Sequence, residues 1–154
     1  MRKKKATKGA VNSSKTAKRT SESNVNKSVV KSEVKSNMSR RPKWRFKKRD
    51  RNHERWHLEI TEELLEKLMH FETMTWSEIL VRAKKQNHYV QTYTLCREAQ
   101  QRLTELKLDD YDEICSLRLS STHRLYGILD EDGVFSIIWN DLEHEIYPVV
   151  KKYT

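Results

Sequence analysis

Apolar positions along the last two-thirds of the chain fall into a helical period followed by a strand period. Thr61 stands where an N-cap is wanted, Glu62 and Glu63 occupy the first turn behind it, and Leu64, Leu65, Leu68 and Phe71 form one apolar stripe. A second helix start lies at Thr75. Glu78 stands at the capping-box spacing, and Trp76, Ile79, Leu80 and Ala83 recur at helical intervals. A third helix is predicted from about Thr94, with Leu95, Ala99, Leu103 and Leu106 on one face, ending at the Asp109-Asp110 turn. Stripes of this kind are core-facing surfaces.

From residue 114 onward the spacing changes to alternation. Strands are predicted over 114–120, 124–129 and 134–140, with a further candidate over 145–150. A Ser/Thr-rich loop and the run Asp130-Glu131-Asp132-Gly133 separate them. Placing Leu117 and Leu119 on the same face as Leu125 and Leu129 requires an odd-length loop such as 121–123. That register brings Arg118, Arg124 and Tyr126 together on the other face. With a four-residue acidic loop, Phe135 and Trp139 would join them, giving a basic and aromatic sheet surface; the competing reading buries these three aromatics under a helix. The expected fold class is α+β, helices packed on a three- or four-stranded antiparallel sheet.

Charge divides the chain more sharply than hydrophobicity does. The overall formal charge of +9 is the sum of +16 over residues 1–51, where 19 Lys and Arg face 3 acidic residues, and −7 over 52–154. Residues 1–40 carry almost no large apolar side chains and cannot offset the entropy of ordering. The sequence therefore predicts a disordered basic arm over 1–51 and a compact domain over 52–154. A dense cationic segment gains affinity for polyanions by releasing counterions, with no fold required. Within it, Trp44 and Phe46 interrupt Arg40, Arg41, Lys43, Arg45, Lys47, Lys48 and Arg49, an interleaving that suits phosphate contact combined with base stacking. A linker whose aromatics dock on the domain is the alternative, and binding to an anionic lipid surface is a weaker third, for want of an amphipathic apolar face.

The remaining chemistry is excluded more than it is indicated. Cys96 and Cys115 have neither metal-ligand spacing nor a disulfide framework, no apolar run reaches membrane-span length, and the basic N-terminus lacks an apolar signal region. These features predict a cytoplasmic protein without metal or cofactor. Three glycines, Gly9, Gly127 and Gly133, leave no phosphate-binding loop or dinucleotide fingerprint.

The stretch Ser116-Leu117-Arg118-Leu119, then His123-Arg124-Leu125-Tyr126, an acidic turn, another apolar strand, and a late His144 and Tyr147 resembles the C-terminal half of the RelE/ParE toxin superfamily. It covers roughly 35 of the 154 residues. The resemblance implies helices on an antiparallel sheet and a toxin of a toxin–antitoxin pair. RelE-type members cut messenger RNA on the ribosome, so RNA or the ribosome, and a protein inhibitor, become the expected partners. Carried over by residue, Arg124 resembles the arginine that stabilises the scissile phosphate and Arg118 a neighbouring basic contact, while His144 and Tyr147 fall near the family's terminal His and Tyr. Such cleavage needs a base, an acid and a cation over the developing charge. Asp112 and Glu113, just before the sheet, are candidates for a carboxylate base. The run 125–128 with Ile138-Trp139-Asn140-Asp141 and the His-x-x-Tyr-Pro ending is also similar to small bacterial proteins of uncharacterised function. Three features depart from the RelE pattern: the acidic domain, the three-helix N-terminal half, and the His144-to-Tyr147 spacing. Two further readings stay open. His144, between Glu143 and Glu145, suits a surface histidine paired with carboxylates, and Arg118 and Arg124 suit structural ion pairs. A noncatalytic interaction domain with a polyanion-binding tail is the alternative function.

Overall fold

The computed structural model describes residues 37–148, which contain one five-stranded mixed sheet in the order β1-β5-β4-β3-β2. The strands are β1 (Lys43–Arg45), β2 (His88–Gln91), β3 (Glu113–Arg118), β4 (Arg124–Leu129) and β5 (Val134–Asp141). Helices α1 (Glu62–Glu72) and α2 (Arg97–Glu105) cover opposite faces. A π-helical turn, Glu78–Arg82, and a 3-10 turn, Thr92–Thr94, complete the regular elements.

Local chemistry sets the helix starts where they were expected. The Thr61 hydroxyl accepts from the Leu64 N–H, and Leu64, Leu68 and Phe71 are buried. At Thr75 the capping box is reciprocal: the Thr75 N–H donates to Glu78 Oε1 at 2.9 Å, and the Glu78 N–H to the Thr75 hydroxyl at 3.2 Å. The segment beyond this box departs from a regular α-helix. The Ala83 N–H reaches back to the Glu78 carbonyl, so the backbone widens into a π turn. The third helix begins at Arg97 after the 3-10 turn, later than expected.

Antiparallel pairing of β2, β3, β4 and β5 obeys the predicted period; the β3–β4 loop is odd in length but spans 119–123 in place of 121–123, so Leu117 and Leu125 share a face as expected while the register moves by two residues, with Leu117 opposite Leu125 and Arg118 opposite Arg124. Cys115, Leu117, Leu125, Phe135 and Ile137 pack with α1 and Trp76; Ile114, Tyr126, Ile138 and Trp139 pack with α2. Ile138 and Trp139 are consecutive yet lie in the same cluster. A register shift between Tyr126 and Gly127 inserts one extra β5 residue there and turns both inward.

Several expectations are corrected. The sheet is mixed and five-stranded, not a purely antiparallel sheet of three or four strands, because β1 pairs parallel to β5, Trp44 beside Phe135, and β2 adds antiparallel to β3. Residues 145–148 form no strand, and 149–150 lie outside the described residues. Four residues, 130–133, separate β4 from β5, but the register differs by one from that expected, Leu129 standing opposite Phe135: the Asp130 N–H donates to the Val134 carbonyl, the Asp130 carboxylate accepts from the Asp132 and Val134 N–H groups at 2.9 Å each, and Gly133 supplies the positive φ of 85°. Phe135 consequently falls on the α1 face, away from Arg124.

The basic segment is the largest correction. Residues 1–36 of the expected arm lie outside the described residues, but the compact unit begins at Asn37, not at residue 52. Trp44 wedges among Phe71, Trp76 and Phe135, with ring centroids 5.5–6.3 Å apart, and its indole donates to Glu72 Oε2. Arg41 donates to the Thr73 carbonyl at 2.7 Å, beyond the C-terminal end of α1, where a cation is favoured. Over 37–148 the charges nearly cancel, 18 Lys and Arg against 20 Asp and Glu, so the cationic segment neutralises the acidic domain it joins.

Candidate nucleic-acid interface

Two guanidinium groups, brought side by side by the β3–β4 register, converge on one carbonyl. Arg124 Nη1 donates to the Ser120 carbonyl at 2.7 Å and more weakly to Ser121 and His123, while Arg118 Nε donates to the same Ser120 oxygen at 3.2 Å. Lys67, reaching across from α1, donates to the adjacent Leu119 carbonyl at 2.7 Å. The 119–123 loop is thus gathered by three cations. Among the described residues no carboxylate stands within ion-pair distance of any of them. Asp141 lies opposite Arg124 in the sheet, but its carboxylate accepts from the Glu145 and Ile146 N–H groups instead. Burial and the like charge of Arg118 both press the Arg124 pKa below that of an ordinary guanidinium.

Beside this cluster opens a cavity of about 260 Å³ lined by Glu66, Lys67, His70, Phe71, Arg118 and Leu119. Four of the six are charged or titratable, and one is acidic. Lys67 and His70 were not singled out from sequence; only their position on the turn of α1 above the hairpin brings them there.

The other residues named from sequence are placed as follows. Arg118 is exposed and Arg124 half-buried. His144 sits in the turn after β5 with a φ of 57°, and Tyr147 packs against the α2 core. Among the described residues no hydrogen bond or ion pair joins His144 or Tyr147 to either arginine. Tyr126 and Trp139 are fully buried, so the aromatic surface beside the arginines does not form. In the basic segment, Lys43, Arg45, Phe46, Lys47 and Lys48 are exposed along β1 and the turn after it, whereas Trp44 is spent on packing. Arg45 lies 3.9 Å from Asp130, Arg49 bonds the Phe46 carbonyl, and the Arg40 carbonyl accepts from the Trp76 N–H.

Two polar networks escaped sequence reasoning. Asp50 is wholly buried and accepts from Arg102 Nε and Nη2 at 2.9 and 2.6 Å, from the Trp139 indole at 3.0 Å, and from the Asn52 and His53 N–H groups. His53 Nδ1 accepts from the Arg55 and Trp56 N–H groups, which assigns the ring proton to Nε2, 2.7 Å from Glu98 Oε2. Arg55 bridges Glu98 and Glu145 and lies over the Trp56 ring. Every member is engaged in holding the 50–56 segment to α2 and to the turn after β5. Both networks are structural.

Among the described residues no group of His, Cys, Asp and Glu side chains could hold a metal ion, and no helix is long and apolar enough to cross a membrane. Comparison with protein-family models, with curated proteins and with solved structures finds no match to this chain. The likeness to RelE/ParE toxins therefore rests on the quoted residues alone.

Proposed function

We propose that this protein binds RNA, taking a backbone phosphate at the Lys67, Arg118 and Arg124 cluster and adding nonspecific affinity through its basic N-terminal third. One observation carries the reading: two guanidinium groups meet at a single carbonyl, and among the described residues no carboxylate stands within ion-pair distance of either. Each guanidinium has five N–H donors, and its hydrogen bonds to the 120–123 loop use only part of that capacity. A phosphate oxygen is the ligand that relieves like-charge repulsion and fills those donors at once. The exposed Lys43 and Arg45 supply further backbone contacts along the β1 edge. With the aromatics of the sheet buried, recognition rests on phosphates and little on base identity. Strand scission, the step that a RelE-type toxin adds, needs a base and a leaving-group acid at the same phosphate; His70, in the neighbouring cavity, is nearer to that role than His144.

The test is fluorescence anisotropy of a single-stranded RNA oligonucleotide titrated with the full chain across a salt series, with duplex DNA alongside, and a 3′-labelled RNA to detect cleavage. Converting Arg118 and Arg124 to Gln removes two phosphate contacts and should lower the slope of log K against log salt by roughly 1.4. An unchanged slope in a folded double variant would remove the cluster from the interface. RNA cleavage abolished by Arg124→Gln would extend the reading to catalysis.

A further inference from the structure

A second surface, on the same helix but away from the arginines, has the character of a protein-binding groove. Phe46, Arg49, Leu58, Ile60 and Leu65 line a cavity of about 370 Å³. Its apolar residues are open to solvent: Phe46 and Leu65 are each 38% exposed, Ile60 54%, and Met69, one turn beyond Leu65 on the same helix face, 58%. Helix α1 therefore carries two apolar stripes. Leu64, Leu68 and Phe71 enter the core; Leu65 and Met69 point outward to solvent. An eleven-residue helix with a second uncovered stripe, flanked by an exposed Phe and Ile, forms a contiguous apolar patch of the kind that marks an interaction site.

Charge around the groove decides its occupant. Arg49 lines one wall, and Lys47 and Lys48, exposed in the turn between it and Phe46, adjoin it, with no acidic side chain among 43–49. The Arg49 guanidinium donates to the Phe46 carbonyl at 3.2 Å and makes no ion pair among the described residues. On the other side, Glu62 stands one turn before Leu65 along α1. An apolar floor between a cationic and an anionic wall is complementary to an amphipathic helix with an acidic flank on one side and a basic flank on the other. A nucleic acid would leave the apolar floor unfilled and be repelled by Glu62.

We propose that this groove receives an amphipathic helix of a protein partner, its apolar residues spaced i, i+3, i+4, i+7 over Phe46, Ile60, Leu65 and Met69, and its acidic flank against Lys47, Lys48 and Arg49. The proposal is independent of RNA binding and lies at a separate site.

The probe is a fluorescein-labelled synthetic helical peptide with Leu at those spacings, Glu along one flank and Lys along the other, titrated with the full-length protein. Controls are a scrambled peptide of the same composition and a peptide with Lys on both flanks. The Glu-flanked peptide should bind best, and Leu65→Asp and Ile60→Asp should each weaken it roughly tenfold, about 1.4 kcal/mol. Ile60 lies outside any helix or strand, so its variant keeps the test sound if Leu65→Asp disturbs α1. Reversing Lys47, Lys48 and Arg49 to Glu should shift preference to the Lys-flanked peptide. Equal binding of the scrambled peptide would overturn the proposal, as would insensitivity of the Glu-flanked peptide to both Asp variants. It would also fall if light scattering showed a dimer abolished by Leu65→Asp, which would give the groove to a second copy, or if RNA displaced the peptide competitively.

Discussion

Asp50→Ala tests whether the folded unit really begins upstream of the acidic domain. The carboxylate is wholly buried and receives Arg102 in a bidentate pair, the Trp139 indole and two backbone N–H groups. Its removal leaves the Trp139 N–H, itself at 0% exposure, without an acceptor, a loss of about 1–3 kcal/mol. It also takes the buried partner from Arg102, whose side chain is 22% exposed and keeps only Glu105; breaking a buried pair costs up to about 3–5 kcal/mol in all. Against the 5–15 kcal/mol stability usual for a domain, the variant should lose roughly a third to a half, and its thermal midpoint should fall by roughly 15–30 °C. Burial by itself would raise the Asp50 pKa, but Arg102, the Trp139 indole and the Asn52 N–H together hold it below 3.8. A depressed carboxylate pKa contributes stability that is complete above its unfolded value and fades as pH falls through the folded one. The gap between wild type and Asp50→Ala should thus be full at neutral pH and narrow below about pH 4. Urea denaturation followed by tryptophan fluorescence at both pH values measures it. Adding Arg102→Met should cost less than the two single losses combined, because each single variant already removes the same Asp50–Arg102 pair. A loss under about 1 kcal/mol, or additive single losses, would refute the claim that this pair fastens the basic segment to the core.

Three further outcomes are expected. Lys107→Gly should stabilise the chain by about 1 kcal/mol in chemical denaturation: Lys107 sits at a φ of 61° just after α2, where the Leu108 N–H closes onto the Leu103 carbonyl and the Lys107 N–H onto Thr104, a Schellman cap that normally uses glycine. Gly127→Ala should destabilise by roughly 3 kcal/mol or more in the same assay, since a Cβ there would collide with both the Phe135 ring and the Ser136 carbonyl, and the carbonyl cannot move without breaking the β4–β5 ladder. Thr75→Ala should cost about 1 kcal/mol and Glu78→Ala no more than that, seen as a lower thermal midpoint by circular dichroism; in the double variant the losses should be less than additive, because each side chain completes the same box.

Local signals were legible where their partners lie within a few residues. Thr61 and Thr75 announce helix starts because a capping hydroxyl finds its N–H three positions on. The side-chain period fixed which β3 and β4 residues share a face, Leu117 with Leu125, but not the register, since every odd-length loop keeps them together. Strands β1 and β2 were not visible. At three and four residues they are too short to show alternation, and β1 reads as two cations about one tryptophan, a pattern that a solvated tail shares. Nothing local distinguishes a Trp44 that stacks on a base from one that enters a slot between Phe71, Trp76 and Phe135. The extra residue in β5 was equally hidden, and with it the burial of Ile138 and Trp139 on one side. Of the candidate interface, the shared face of Arg118 and Arg124 was legible, but Lys67 and His70 were not, since they come from a helix some fifty residues away.

By itself, then, the sequence determined what depends on neighbours along the chain: helix starts, the helical and strand periods, and the charge split between the first third and the rest. Only the tertiary structure decided which charges meet. Asp50 ends wholly buried against Arg102, while Arg118 and Arg124 form no ion pair among the described residues. Coulombic and desolvation energies depend on distance and surroundings in space, and no spacing along the chain encodes them.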